Sequence, residues 1–301
     1  MRDEVARNLK HTNYEKNKLF FVAMLLSAVA INSFAQQEGT TITVNGVTYT
    51  YLSIADRTVS VTGIDVSITG TEVTIPASIK DSEGNFTYAV TTSDFTNNSI
   101  IKLTLPEGLK TIKKITCGSL EEITIPSSVT EIWPKATVGW GFSGCSSLKN
   151  IFVAKENTEY SDADGVLLTN NRTELLEYPM GRTDTEYTVP SGVTTIKSIN
   201  AIDNSSLTSL SFGTHVTTVE SVALHLPNVT DVTIPVSLTS VTSLTGLSKL
   251  VNYHVASGHS TYSDINGVLF NQDGTTLIGY PIGRKGEQYK IPSSTVTIAA
   301  L

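Results

Sequence analysis

The stretch "LEEITIPSSVTEI", Leu120 to Ile132, decides the fold. Its apolar residues Leu120, Ile123 and Ile125 follow the spacing apolar-x-x-apolar-x-apolar, and from Glu122 to Ile125 apolar and polar residues alternate as in a half-buried strand. Pro126 comes next; with no N–H to donate, it ends the strand and turns the chain. Val129 and Ile132 then supply a second apolar strip. One short segment thus encodes a strand, a corner and a second buried edge.

The same spacing returns in "IIKLTL" (100–105), "LKNIFV" (148–153), "LTSLSF" (207–212), "VTDVTI" (229–234) and "LVNYHV" (250–255), with neighbours 20 to 23 residues apart where nothing is inserted. The Pro-led second turn returns in "LPEGLKTI", "IPVSLTSV", "VPSGVTTI" (189–196) and "IPSSTVTI" (291–298). This is the leucine-rich-repeat signature. Rungs stacked ~4.8 Å apart predict a β-rich solenoid with one continuous parallel sheet over an unbroken apolar interior.

A longer sentence is written twice. "YSDADGVLLTNNRTELLEYPMGR" (160–182) and "YSDINGVLFNQDGTTLIGYPIGR" (262–284) align without a gap at an offset of 102 and share 12 of 23 residues. In each, two strand-like runs are joined by a turn, Asn170 to Arg172 in the first and Asp273-Gly274 in the second. Each copy therefore reads as a repeat carrying a β-hairpin insertion, which places long repeats near 148–196 and 250–298. Residues 36–99, with "TVNGVTYTYL", "TVSVTGIDVSITG" and "EVTIPASI", alternate like strands between Gly turns and read as an N-terminal β cap and first irregular repeats shielding the open edge of a solenoid over 100–301. The sequence stops at "TVTIAAL", midway through a rung; a continuing chain, a covering partner or a fraying last turn would each suit that edge.

"FSGCSSLKNI", "ITIPSSVTEI" and "YSDINGVLFNQDGTTLIGYPIG" together resemble the BspA-type leucine-rich repeats of secreted and surface proteins from gut and oral Bacteroidetes. The resemblance spans roughly residues 60–301. It implies a non-enzymatic, secreted or cell-surface solenoid associated with adhesion to host proteins or other cells. The chain departs from the pattern at "WPKATVGW", which lengthens the turn before Phe142, and at "IDNSSL", "LHLPNV" and "LTGLSKL", which replace the Phe-x-x-Cys element.

The N-terminus agrees with export. A polar, basic stretch precedes the apolar run Leu19–Ile31, and "NSFAQQ" offers a small-residue cleavage site after Ala35. Thirteen apolar-run residues are too few to cross ~30 Å of hydrocarbon, so 1–35 reads as a signal peptide and the mature chain as having no transmembrane span. From Gln36 on, 16 Lys and Arg face 25 Asp and Glu, a net charge of −9 that argues against nucleic acid and anionic membranes as partners. Cys117 and Cys145 each stand three residues before a Leu, where other rungs place Leu226 and Leu247. A slot filled elsewhere by Leu is buried, so packed thiols are expected rather than a bridge.

No motif supplies convergent catalytic groups, and neither a cofactor nor a metal is predicted. "DADG" and "DING" lack the later acids of a calcium loop and read as turns. The remaining candidates are surface residues on the strands and the Trp-bearing loop. Phe152 and His254 lie in the outer row; Lys102, Glu122 and Asp231 lie in the row beside it. Phe152 is the misfit, an aromatic ring facing either water or the underside of a hairpin. Trp133 and Trp140 bracket the inserted loop and either pin it or offer flat contact area. The expected partner is a host extracellular or cell-surface protein. A glycan captured by the Trp loop and a purely structural spacer are the alternatives.

Overall fold

A computed structural model describes residues 36–132, 141–142, 144–197, 202–220, 224–241, 244, 247–286 and 288–299. The segment read as a signal peptide and both tryptophans lie outside the described residues.

The chain opens with an antiparallel pair, β1 (Thr41–Val44) and β2 (Val47–Ser53), joined at Asn45-Gly46, where both residues take positive φ, and continued antiparallel by β3 (Thr58–Ile64). A single helical turn, α1 (Val66–Thr69), is started by the Asp65 carboxylate, which accepts from the Ser67 amide. From there two strands recur per rung. One series, the front ladder, carries the pattern quoted above: β4 (Glu72–Thr74), then, after β5 (Ser78–Lys80) and β6 (Thr87–Thr96), β7 (Lys102–Thr104). The other series joins β3 to β6, to β8 (Thr111–Thr116), and, past β9 (Glu122–Ile125) of the front ladder, to β10 (Glu131–Ile132); all these pairings are parallel.

The corners repeat as the sequence requires. After β7, β9 and the later front strands at Glu186–Thr188 and Asp231–Ile234 the Pro carbonyl accepts from an amide three residues on: Leu109 to Pro106 at 3.3 Å, Val129 to Pro126 at 3.3 Å, Val193 to Pro190 at 2.9 Å and Leu238 to Pro235 at 3.1 Å. Before the front strand a second turn closes on the slot shared by Cys and Leu: Leu120 donates to the Cys117 carbonyl, Leu148 to that of Cys145 and Leu250 to that of Leu247. Cys117, Cys145, Leu226 and Leu247 are all buried, and both cysteines are free. Burial pushes the Cys117 thiol up to about 11 and the Cys145 thiol up to about 12, so both stay protonated.

The long repeats hold more than a hairpin. After β11 (Asn150–Val153) come β12 (Tyr160–Ala163), β13 (Val166–Thr169) and β14 (Glu174–Glu177), an antiparallel meander whose first turn is Asp164-Gly165. The front ladder resumes at β15 (Glu186–Thr188), and β14 continues the other series into β16 (Thr195–Ile196). A short third pairing follows through β17 (Ile202–Asp203). Then come β18 (Ser209–Ser211), β19 (Thr218–Val219), β20 (Leu224–His225), β21 (Asp231–Ile234) and β22 (Asn252–Val255). The second meander, β23 (Tyr262–Ile265), β24 (Val268–Asn271) and β25 (Thr276–Gly279), pairs with β26 (Thr297–Ile298).

The single continuous sheet expected from the repeat is therefore interrupted. The front ladder consists of β4–β7, β9–β11 and β15–β18–β21–β22, each internally parallel. The physical reason at β11 and β22 is visible in the meanders. The Ile151 amide donates to the Gly165 carbonyl at 2.9 Å and the Val153 amide to the Asp162 carboxylate at 2.9 Å, so both outward donors of β11 are taken before another rung can use them. Tyr253 with Gly267 and Val255 with Asp264 repeat the arrangement at β22, both at 2.9 Å. The acids of "DADG" and "DING" thus close strand edges. Below this surface lie two large apolar clusters, from Val47 to Leu176 and from Val166 to Leu269, with each fully buried Val, Leu, Ile or Phe contributing ~1.5–3 kcal/mol.

Candidate functional site

Alternation within each front strand sends the middle residue inward and its two neighbours outward, and parallel register stacks those neighbours into two rows. One row runs Glu72, Lys102, Glu122, Asn150, then Glu186, Ser209, Asp231, Asn252. The other runs Thr74, Thr104, Thr124, Phe152, then Thr188, Ser211, Thr233, His254. The inner row is largely self-satisfied: Lys102 sits 3.5 Å from Glu72, and the amide groups of Asn150 and Asn252 donate to Glu122 and Asp231 at 2.9 and 3.0 Å. The outer row is mostly hydroxyls, with the Phe152 ring at one break in the ladder and the His254 imidazole at its end.

Two local groups emerge. Between β7 and β9, neighbours that form no ladder pairing, an open cleft of about 810 Å³ is lined by Lys102, Thr104, Glu122, Thr124, Pro126 and Phe152, over a floor of buried Leu103 and Ile123. Phe152 is 40 % exposed there, so its ring meets solvent rather than the underside of the meander. The second group is Asp231, which accepts from Asn252 and His254, both at 3.0 Å, and from Thr230 at 2.8 Å. The Asn252 hydrogen bond, foremost among these, holds the Asp231 carboxyl below its ordinary value.

Lys102, Glu122 and Phe152 are thus brought to one cleft, and Asp231 and His254 to one cluster, on sheets separated by the first meander. Trp133 and Trp140 fall outside the described residues. Sequence reading leaves two of the row-building strands out of the ladder: "EVTIPASI", which holds β4, reads as a strand of the cap, and β15 goes unread although "EYTVP" repeats the strand-then-Pro pattern. It also missed the meanders' first strands, whose signals were the two-residue turns Asp164-Gly165 and Asn266-Gly267.

Buried polar groups tie the rungs together. Asn157 donates to the carbonyls of Pro126 at 2.8 Å and Val129 at 3.0 Å and accepts the amides of Glu159 and Tyr160. His259 occupies the matching place in the second copy: Nε2 reaches the Leu238 carbonyl at 3.0 Å, and Nδ1 accepts from Thr261 and Tyr262. Glu177 is different. Its Oε2 is buried without a partner among the described residues, and burial first, then the nearby Asp203 charge, raises its carboxyl from 4.5 to about 8. Among the described residues, no group of three or more His, Cys, Asp or Glu is arranged to hold a metal ion.

Rungs of this length, with a parallel front ladder, Pro-led corners and Leu-or-Cys slots, define a leucine-rich-repeat solenoid. The chain belongs to the family of the BspA type leucine rich repeat region, whose pattern matches six copies over residues 71–163 and 183–271, more than half of its length. No protein of curated function matches it. Among solved structures, it is similar to a leucine-rich repeat protein from Eubacterium ventriosum at 17 % identity, covering 87 % of this chain and 85 % of that one with a TM-score of 0.42. A leucine-rich repeat protein from Bacteroides ovatus matches at 19 % identity over 85 % of this chain and 60 % of that one, TM-score 0.40. The pneumococcal vaccine antigen PcpA matches at 14 % identity over 88 % of this chain and 95 % of that one, TM-score 0.33. The family assignment stands on the matched repeats and the rung geometry, without these superpositions.

Proposed function

We infer that this is an exported, non-enzymatic binding protein, secreted or held at the cell surface, that grips a protein partner across its front ladder. The partner class is a host extracellular or cell-surface protein, and the contact centres on the cleft beside Phe152. One observation carries the reading: a phenylalanine worth ~1.5–3 kcal/mol if buried is left exposed on a flat face of hydroxyl residues. Large aromatics over a preformed concavity are the usual anchors of protein interfaces, and the flanking hydroxyls and paired charges suit a polar rim. The net charge of −9 beyond residue 35 directs the face toward neutral or basic partners.

The test is a binding screen of the purified protein against extracellular-matrix proteins and a glycan array, with Phe152→Ala and His254→Ala in parallel. Protein binding that weakens at least tenfold with Phe152→Ala supports the reading. Glycan binding indifferent to Phe152→Ala replaces it with carbohydrate capture, and absence of binding to either class replaces it with a spacer role.

A further inference from the structure

The two internal ends of the front ladder are closed. At β11 and at β22 a meander supplies a backbone carbonyl and an Asp carboxylate to the two outward amides. The first strand of the ladder, β4, is not treated this way. Its inner edge, at Thr71, Val73 and Ile75, bonds to β7: Lys102 donates to the Thr71 carbonyl and Ile75 to that of Thr104. Its outer edge presents the amides and carbonyls of Glu72 and Thr74, which have no hydrogen-bond partner among the described residues. Within segment 41–99, β3 pairs with β6 in the other series, while the outer edge of β4 keeps no strand partner among the described residues.

That edge borders a groove with about 790 Å³ of empty space, lined by Val44, Val47, Tyr49, Ile68, Thr69 and Glu72. Ile68, on α1, is 65 % exposed although it stands beside buried Val47 and Tyr49. Two donors and two acceptors at strand spacing, above an apolar floor, are the requirements for adding an extended chain to a sheet.

We propose that the outer edge of β4 is a docking site for an extended polypeptide segment of another protein, which adds to the front ladder as a parallel strand. The ladder itself specifies the sequence. Opposite Val73 the incoming residue points into the groove and must be apolar. Opposite Glu72 the row alternates Glu72, Lys102, Glu122, so a basic residue continues it; opposite Thr74 it calls for a small hydroxyl. The triplet basic–apolar–Thr is the one β7 already presents to β4 from the other side, as Lys102-Leu103-Thr104, with Lys102 3.5 Å from Glu72. This site lies at the end of the ladder rather than on its face, and it stands or falls independently of the Phe152 cleft.

The probe is the synthetic peptide SIIKLTLPEG, which copies residues 99–108, titrated into the purified protein and followed by amide hydrogen exchange. The expected result is at least tenfold slower exchange at the Glu72 and Thr74 amides. Thr74→Pro removes one outward donor and leaves the Val73 and Ile75 bonds to β7 in place, and Ile68→Asp makes the groove floor polar; each should weaken binding at least tenfold. Should Thr74→Pro disturb folding, the peptide N-methylated at the leucine matching Leu103 removes the neighbouring edge bond, from that leucine amide to the Glu72 carbonyl, on the unaltered protein and should likewise bind at least tenfold more weakly. Protection confined to other strands, or equal binding by the N-methylated peptide, would overturn the proposal. So would self-association without peptide that Thr74→Pro abolishes, because the edge would then belong to a second copy of the chain.

Discussion

The two long repeats carry nearly the same sentence, yet they differ where it matters for stability. Asn157 in the first is His259 in the second, and both staple a carbonyl of the preceding rung while accepting two amides of their own. Glu177 in the first is Gly279 in the second, so one copy buries a carboxyl oxygen that has no partner among the described residues and that the other copy lacks. Tyr178 is buried in the first copy, whereas its counterpart Tyr280 is 43 % exposed. The comparison teaches that the repeat conserves hydrogen-bonding duties rather than side chains. A place in the rung can change residue type as long as a donor faces backward and an acceptor faces forward.

The largest effect should come from the glycine both copies share. A Cβ at Gly181 would run into the Ser147 carbonyl group, and one at Gly283 into that of Lys249, while Gly286 faces open space. Gly181→Ala and Gly283→Ala should each cost about 3 kcal/mol or more in urea unfolding, and Gly286→Ala almost nothing. Equal tolerance at all three would break the equivalence.

Glu177 should produce a pH dependence that belongs to the first copy alone. Its carboxyl is raised in the folded state, from 4.5 to about 8, so the folded protein holds this proton more tightly than the unfolded chain. Its contribution is fully present below about 4.5 and is lost as pH climbs through about 8. Glu177→Gln should flatten the stability profile between those limits and leave the variant more stable than the parent at the alkaline end, read as a shift in Tm across buffers.

The staple sharpens the comparison further. His259→Asn should stay within ~1 kcal/mol of the parent, because Asn157 already performs this duty, whereas His259→Ala should lose about 2 kcal/mol by stranding the Leu238 carbonyl and two amides. The smallest effect is expected at the ladder ends. Asp162→Ala and Asp264→Ala each remove an acceptor from one partly buried amide, of Val153 or Val255, at about 1 kcal/mol, with faster amide exchange confined to that residue.

Much of this was legible in the residues. "LEEITIPSSVTEI" foretold strand, corner and second strip, and the Leu226 and Leu247 register identified Cys117 and Cys145 as buried slots. The candidate site was only partly legible. The outward rows followed from alternation, but that Phe152 opens on a cleft while His254 is occupied by Asp231 depends on which rungs pair and which are parted. The duties of Asn157 and His259 were hidden because two dissimilar residues do the same work through different atoms.

Period and alternation are local properties, set by the chirality and pleat of a strand and by the missing N–H of proline, so the sequence by itself determined the rung, its buried face and its outward rows. Where the ladder breaks is a different kind of question. Asp162 closing β11, Asp264 closing β22 and the open outer edge of β4 each depend on which amide a distant group reaches first, and that competition between carbonyls, carboxylates and the next rung is decided only once the chain has folded back on itself.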